Sequence, residues 1–161
     1  LGVRGGAYLG FVFGLMSLSA CFRTPDATAQ LILGTNTGFG IYNIFLILAI
    51  IFLPRVLCGV FSSLTYKAIS KHDKSELVAM GVAAFIGSMT NTVFYLGGLY
   101  VFAFEGFSAA NGMAGQTYLQ VLKAVLAVVS FNGVIEAIAA VIICTIVGKA
   151  ISIARKKAVI R

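Results

Sequence analysis

The chain has 161 residues, 60% of them hydrophobic and only 11% charged, with a formal net charge of +7 and a mean hydropathy of +1.01. A soluble domain carries about 25% charged residues, so this is an integral membrane protein with no room for a sizeable soluble domain. The positive balance does not point to nucleic acid: the basic residues cluster at the ends of apolar spans, and no basic stripe with interleaved aromatics exists.

Four apolar blocks are predicted to form an all-α membrane helix bundle in a single domain covering 1–161: Gly5–Phe22, Ile41–Ser70, Leu77–Phe104 and Val121–Ile153. The ten-residue alternating segments of a barrel are absent. In the first block, Gly6, Gly10 and Gly14 form a GxxxGxxxG row on one helix face, where a second backbone can approach closely. That row serves either packing within the chain, the simpler reading, or docking on a partner membrane protein. The second block is interrupted by Pro54-Arg55. Proline removes an intrahelical hydrogen bond and crowds the preceding turn, which predicts a kink at Pro54 and a freed backbone carbonyl.

The third block is uncharged and longer than the roughly 20 residues that cross a bilayer. Its centre nevertheless holds Ser88, Thr90, Asn91 and Thr92. Polar side chains at that depth cost free energy unless they find partners. They therefore bond neighbouring helices or line a pocket for a small polar solute.

The connections differ in character. Arg23–Gly40 is polar and rich in Gly and Thr, Lys71–Glu76 is short and charged, and Glu105–Tyr118 reads as flexible, with one acid and no base. Lys67, Lys71 and Lys74 surround the charged loop, and Arg155, Lys156, Lys157 and Arg161 follow the last block. The excess of Lys and Arg there places that loop and the C-terminus in the cytoplasm. Cys21, Cys58 and Cys144 each sit in an apolar run with no CxxC or Cys/His spacing, and the one histidine, His72, lies in the charged loop. Neither a disulfide framework nor a metal site is expected.

Arg55 and Glu136 are the charges deepest within the blocks. Counting from the lysine-bearing ends at 1.5 Å per residue puts Arg55, Asn91 and Glu136 at a common depth of roughly 18 to 22 Å. Charges at such depth face the interior and pair with each other or with a ligand. Two readings follow: an Arg55–Glu136 ion pair that ties two helices, or a binding site in which Arg55, Asn91, Thr92, Tyr95, Asn132 and Glu136 share the lining. Asn132 and Glu136 are four apart, as are Asn91 and Tyr95, so each pair shares a helix face. The second reading expects Asn91, Tyr95, Asn132 and Glu136 to line one cavity between the third and fourth blocks. No Ser/His/Asp set, HExxH or Walker motif is present. The chain is expected to be no enzyme, to need no cofactor and to bind no nucleotide itself.

The segments GGAYLGFVFGLMS, LPRVLCGVFSSLTYK, GSMTNTVFYLGGLYVF and SFNGVIEAIAAVIICTIVGKAI followed by ARKK together resemble the substrate-binding S component of an energy-coupling factor (ECF) vitamin transporter. The PRxLxG and GSxTNT pieces are most similar to pantothenate-type members. The resemblance implies a six-helix bundle in a bacterial cell membrane. The subunit would capture a small vitamin outside and deliver it through a transmembrane coupling protein and two ABC-type ATPases. The four blocks correspond to helices three to six. The first two would then lie outside this chain, which opens on LGVRGGAYLG without an initiator Met. For pantothenate, Arg55 would pair with the carboxylate, and Asn91, Thr92, Tyr95 and Asn132 would bond the hydroxyls and amide. Glu136 would accept from hydroxyls or orient Arg55. A neutral ligand such as hydroxymethylpyrimidine or pyridoxine suits Glu136 better, and a non-binding structural subunit of another membrane complex is the rival class.

Overall fold

A computed structural model describes residues 2–35, 38–73 and 75–159, with side chains as far as Ala154. Lys74 and Arg161 lie outside the described residues, as do the side chains of Arg155, Lys156 and Lys157. Among the described residues every regular element is helical. The first span is α1 (Gly2–Arg23), followed by the short α2 (Ala27–Leu33). The second span joins α3 (Ile41–Leu46), a π-helical segment (Ile47–Phe52) and α4 (Leu53–Ile69). The third is α5 (Leu77–Phe102), followed by the short α6 (Phe104–Ala110). The fourth joins α7 (Tyr118–Val128), a second π-helical segment (Val129–Gly133) and α8 (Val134–Val159). All four spans are long and apolar enough to cross a membrane. A helix satisfies its own backbone polar groups, which is what hydrocarbon demands.

Two of the connections depart from the reading of the sequence. Arg23–Gly40 contains α2. Its start is fixed by Asp26, whose side chain accepts a hydrogen bond from the Ala29 backbone N–H (2.6 Å), and its end by Gly34 in the left-handed conformation (φ 65°). That is an ordinary acidic N-cap and glycine stop. Glu105–Tyr118 contains most of α6, which begins where Ala103 (φ −138°) breaks α5. The irregularity in the second span also differs from a simple proline kink. Pro54 lies inside a helix that continues without a break, so its missing N–H leaves the Ile50 carbonyl, four residues back, without its usual helical donor. The disturbance is instead the π-helical turn that precedes it.

The spans pack in chain order, α4 between α1 and α5, and α5 between α4 and α8. Glycine sets the closeness of the first seam. Gly6, Gly10 and Gly14 are all buried. A methyl on Gly6 would strike the Gly59 carbonyl and Ser63 Oγ, one on Gly10 would strike the Arg55 carbonyl, and one on Gly14 would lie 2.8 Å from the Phe52 ring. On the α4–α5 seam, Ser62 Oγ donates to the Ala83 carbonyl (3.0 Å). On the α5–α8 seam, a methyl on Gly148 would lie 2.7 Å from Met80 Sδ. The fourth span is the least covered of the four, and its isoleucines Ile135, Ile138, Ile142, Ile143 and Ile146 are exposed. Such a face would be an aggregation liability in water and is the natural contact with lipid tails.

The two ends differ. At the end away from Lys67, α2 and α6 meet over the spans and close a core of Ile32, Leu46, Ile50, Ile51, Leu99, Phe107, Val121 and Val125. Tyr42 there donates its hydroxyl to the Phe102 carbonyl, and Asn43 holds α2 by donating to the Ile32 carbonyl (3.1 Å). At the Lys67 end, Asp73 starts α5 by accepting from the Ala79 N–H (2.9 Å) and the Ser75 hydroxyl (2.8 Å). These bonds, the one to Ala79 foremost, hold its carboxyl below the usual range. Lys149 Nζ donates to the Ser75 carbonyl (2.9 Å), which ties α8 to the same loop.

Candidate functional site

The polar residues of the third span gather contacts from both of its neighbours. On one flank, the Arg55 guanidinium from α4 lies over the Tyr95 ring, 4.7 Å from its centroid, and 5.7 Å from that of Phe13 on α1. Aromatic faces attract a cation, more strongly where water is excluded. Arg55 Nη1 donates to the Ile50 carbonyl (3.1 Å), a group within the π-helical segment. The bulge thus supplies an acceptor to the arginine five residues on. Arg55 Nε is buried and finds no partner among the described residues.

On the other flank, Thr92 is 9% exposed and donates to Glu136 Oε2 at the long distance of 3.5 Å. Gly133, in the second π-helical segment, closes on the same threonine, a methyl there falling 3.2 Å from Thr92 Cγ2. The two π-helical segments therefore both pack against α5, one beside Arg55 and one beside Thr92 and Glu136. Such bulges occur often at functional sites, where they re-aim side chains and free backbone groups. On the face of α5 that carries Tyr95, Asn91 Oδ1 is buried without a partner among the described residues.

Arg55 and Glu136 are not joined by an ion pair in this arrangement: Arg55 contacts Tyr95, Phe13 and Ile50, and Glu136 contacts Thr92. Between the third and fourth blocks, no described cavity is lined by Asn91, Tyr95, Asn132 or Glu136. There α5 and α8 close on each other through Thr92 and Gly133, and Asn132 and Glu136 are exposed. The larger described cavity, about 510 Å³, lies toward Lys67 and is lined by Gly6, Ser62, Tyr66, Lys67, Ala84 and Cys144 among others. A second of about 330 Å³ lies at the opposite end, between Leu31, Tyr42 and the α5–α6 junction. Neither is lined by Arg55, Asn91, Thr92, Tyr95, Asn132 or Glu136. Helical periodicity nevertheless connects the polar set to the larger one. Arg55 is seven residues before Ser62 on α4, and Asn91 is seven after Ala84 on α5, so each continues a stripe that lines the cavity two turns away.

Sequence reasoning missed Phe13; it expected a carbonyl freed by Pro54, and the Ile50 carbonyl, four residues back, is the one that Arg55 takes. The glycine row carried a signal for Phe13, since a residue beside Gly14 on a face that meets α4 must lie near the arginine of that helix. Nothing in ILAIIF marks the register slip that aims the carbonyl.

The family model described as ECF transporter, substrate-specific component, matches residues 3–148. The pantothenic acid transporter PanT of Lactococcus lactis subsp. cremoris (strain MG1363) is 32% identical over 164 aligned positions, which cover 96% of this chain and 72% of that protein. No solved structure matches significantly. A four-span, all-helical membrane protein with a polar set on its third span and this match over nearly its whole length belongs to the substrate-specific components of ECF transporters.

Proposed function

We propose that this chain captures pantothenate at the membrane and delivers it through an ECF coupling protein driven by two ABC-type ATPases. The observation that carries the substrate reading is Arg55: a guanidinium bracketed by Tyr95 and Phe13, with a buried N–H that has no partner among the described residues. Arginine is the residue suited to planar, charge-assisted recognition of a carboxylate, and pantothenate carries one. Asn91, Thr92, Tyr95, Asn132 and Glu136 offer acceptors and donors for its amide and two hydroxyls. The resemblance to a protein named for pantothenic acid transport supports the same ligand. The end bearing Lys67 and Lys71 faces the cytoplasm, as the excess of basic residues argues, with the C-terminus on that side and the Arg55 set toward the outer half.

Binding and transport separate in the test. The full-length protein, purified alone, is expected to bind pantothenate by calorimetry and to be insensitive to excess pyridoxine. In vesicles it should accumulate pantothenate only with the coupling protein, the ATPases and ATP. Accumulation by the protein alone without ATP overturns the reading and favours an ion-driven carrier.

A further inference from the structure

We propose that the site accepts its ligand in one direction only, with the carboxylate at Arg55 and the hydroxyl-bearing end at Thr92 and Glu136. The proposal rests on the pantothenate reading and adds which residue reads which end of the molecule. The two poles of the site are chemically opposite and held apart. Arg55 offers donors and a positive charge, and no carboxylate neutralises it among the described residues, since its contacts are two rings and the Ile50 carbonyl. Glu136 offers acceptors, and its one described bond is the long one from Thr92. The side chains that touch the two poles, Tyr95 and Thr92, are three residues apart on α5 and reach toward different neighbouring helices.

Beside Tyr95 on the same face of α5, the buried Asn91 Oδ1 is an acceptor without a donor among the described residues. The ligand carries its one N–H in the half that bears its carboxylate, so with the carboxylate at Arg55 that N–H meets Asn91, and the hydroxyls extend toward Thr92 and Glu136. The reversed ligand sets its carboxylate against Glu136, a repulsion between like charges, and leaves the Arg55 Nε–H facing neutral hydroxyls.

The experiment crosses two variants with three ligands: pantothenate, pantothenyl alcohol (carboxylate replaced by hydroxymethyl) and N-pivaloyl-β-alanine (acid and amide kept, hydroxyls absent). Affinities are measured by calorimetry or competition on the full-length protein. Arg55→Ala should weaken pantothenate and N-pivaloyl-β-alanine by about tenfold or more and leave pantothenyl alcohol nearly unchanged, its retained binding also reporting an intact fold. Glu136→Gln should weaken pantothenate and pantothenyl alcohol several-fold and leave N-pivaloyl-β-alanine nearly unchanged. If Arg55→Ala binds none of the three, Arg55→Lys takes its place and is expected to keep the preference for the two acids. The opposite pattern, or a uniform loss over all three ligands in a folded variant, overturns the direction. Failure of the wild-type protein to bind any of the three overturns the pantothenate reading itself.

Discussion

The seam between α1 and α4 and the flanks of α5 near Asn91 are built on opposite rules. At the seam, backbone meets backbone: Gly6 on Gly59, and Gly10 on the Arg55 carbonyl. No space is left there for even a methyl group. Around Asn91 the helices lose their regularity, with a π-helical segment on each side, and polar atoms stay buried without partners among the described residues. Close small-residue packing gives a membrane bundle its rigidity where no hydrophobic effect drives the helices together. Unmet polar groups at the same depth reduce stability and are retained where something else is to be bound. The same stretch of α4 serves both purposes, since Arg55 gives its carbonyl to the seam and its guanidinium to the polar set.

The comparison breaks most readily at the seam. Gly10→Val should destabilise the protein by about 3 kcal/mol, the upper end for overpacking, because the added atoms meet backbone that cannot swing aside. Thermal unfolding in detergent measures it, and a variant that melts like the wild type would show that α1 and α4 are not so close. Asn91→Leu belongs to the other region and should do the reverse. It removes a buried acceptor, so the melting temperature should hold or rise while pantothenate affinity falls by about tenfold. A drop in stability with unchanged affinity would make Asn91 a packing residue. Ser62→Ala probes the ground between the two regions. Its bond to the Ala83 carbonyl is expected to contribute about 0.6 kcal/mol, seen as a small loss of stability with normal binding.

The smallest effect concerns pH. Asp73 titrates lower in the folded protein than in the unfolded chain, so its contribution is fully present above its unfolded pKa and fades as pH falls through the folded one. Asp73→Asn should flatten the acid-side dependence of stability and leave neutral behaviour almost unchanged. An identical acid profile in the variant would rule out the Asp73–Ala79 bond as its source.

Much of this architecture is legible in the chain because hydrocarbon imposes a simple rule: long uncharged runs become helices. The four spans follow from composition, and their limits shift only where local chemistry intervenes, as at Ala103, which ends α5 just before Phe104. The short α2 had a readable signature in Asp26 and Gly34, but a Thr- and Gly-rich surrounding masked it. The π-helical segments have no such signature. At them Ile50 meets Gly98 and Gly133 meets Thr92, contacts between residues far apart in sequence. For the same reason the depth of Arg55, Asn91 and Glu136 could be counted along the chain, but their partners could not. Counting placed Arg55 and Glu136 level with each other. It could not show that α5 stands between them.

The chain-order packing of the spans bears on how the protein is made. Each span leans chiefly on the one synthesised just before it, so assembly in the bilayer can keep pace with the ribosome, one hairpin at a time. The glycine seam closes as soon as the second span is inserted. Thr92 must wait for Glu136 until the fourth span arrives, which makes that flank of α5 the last part of the molecule to be completed.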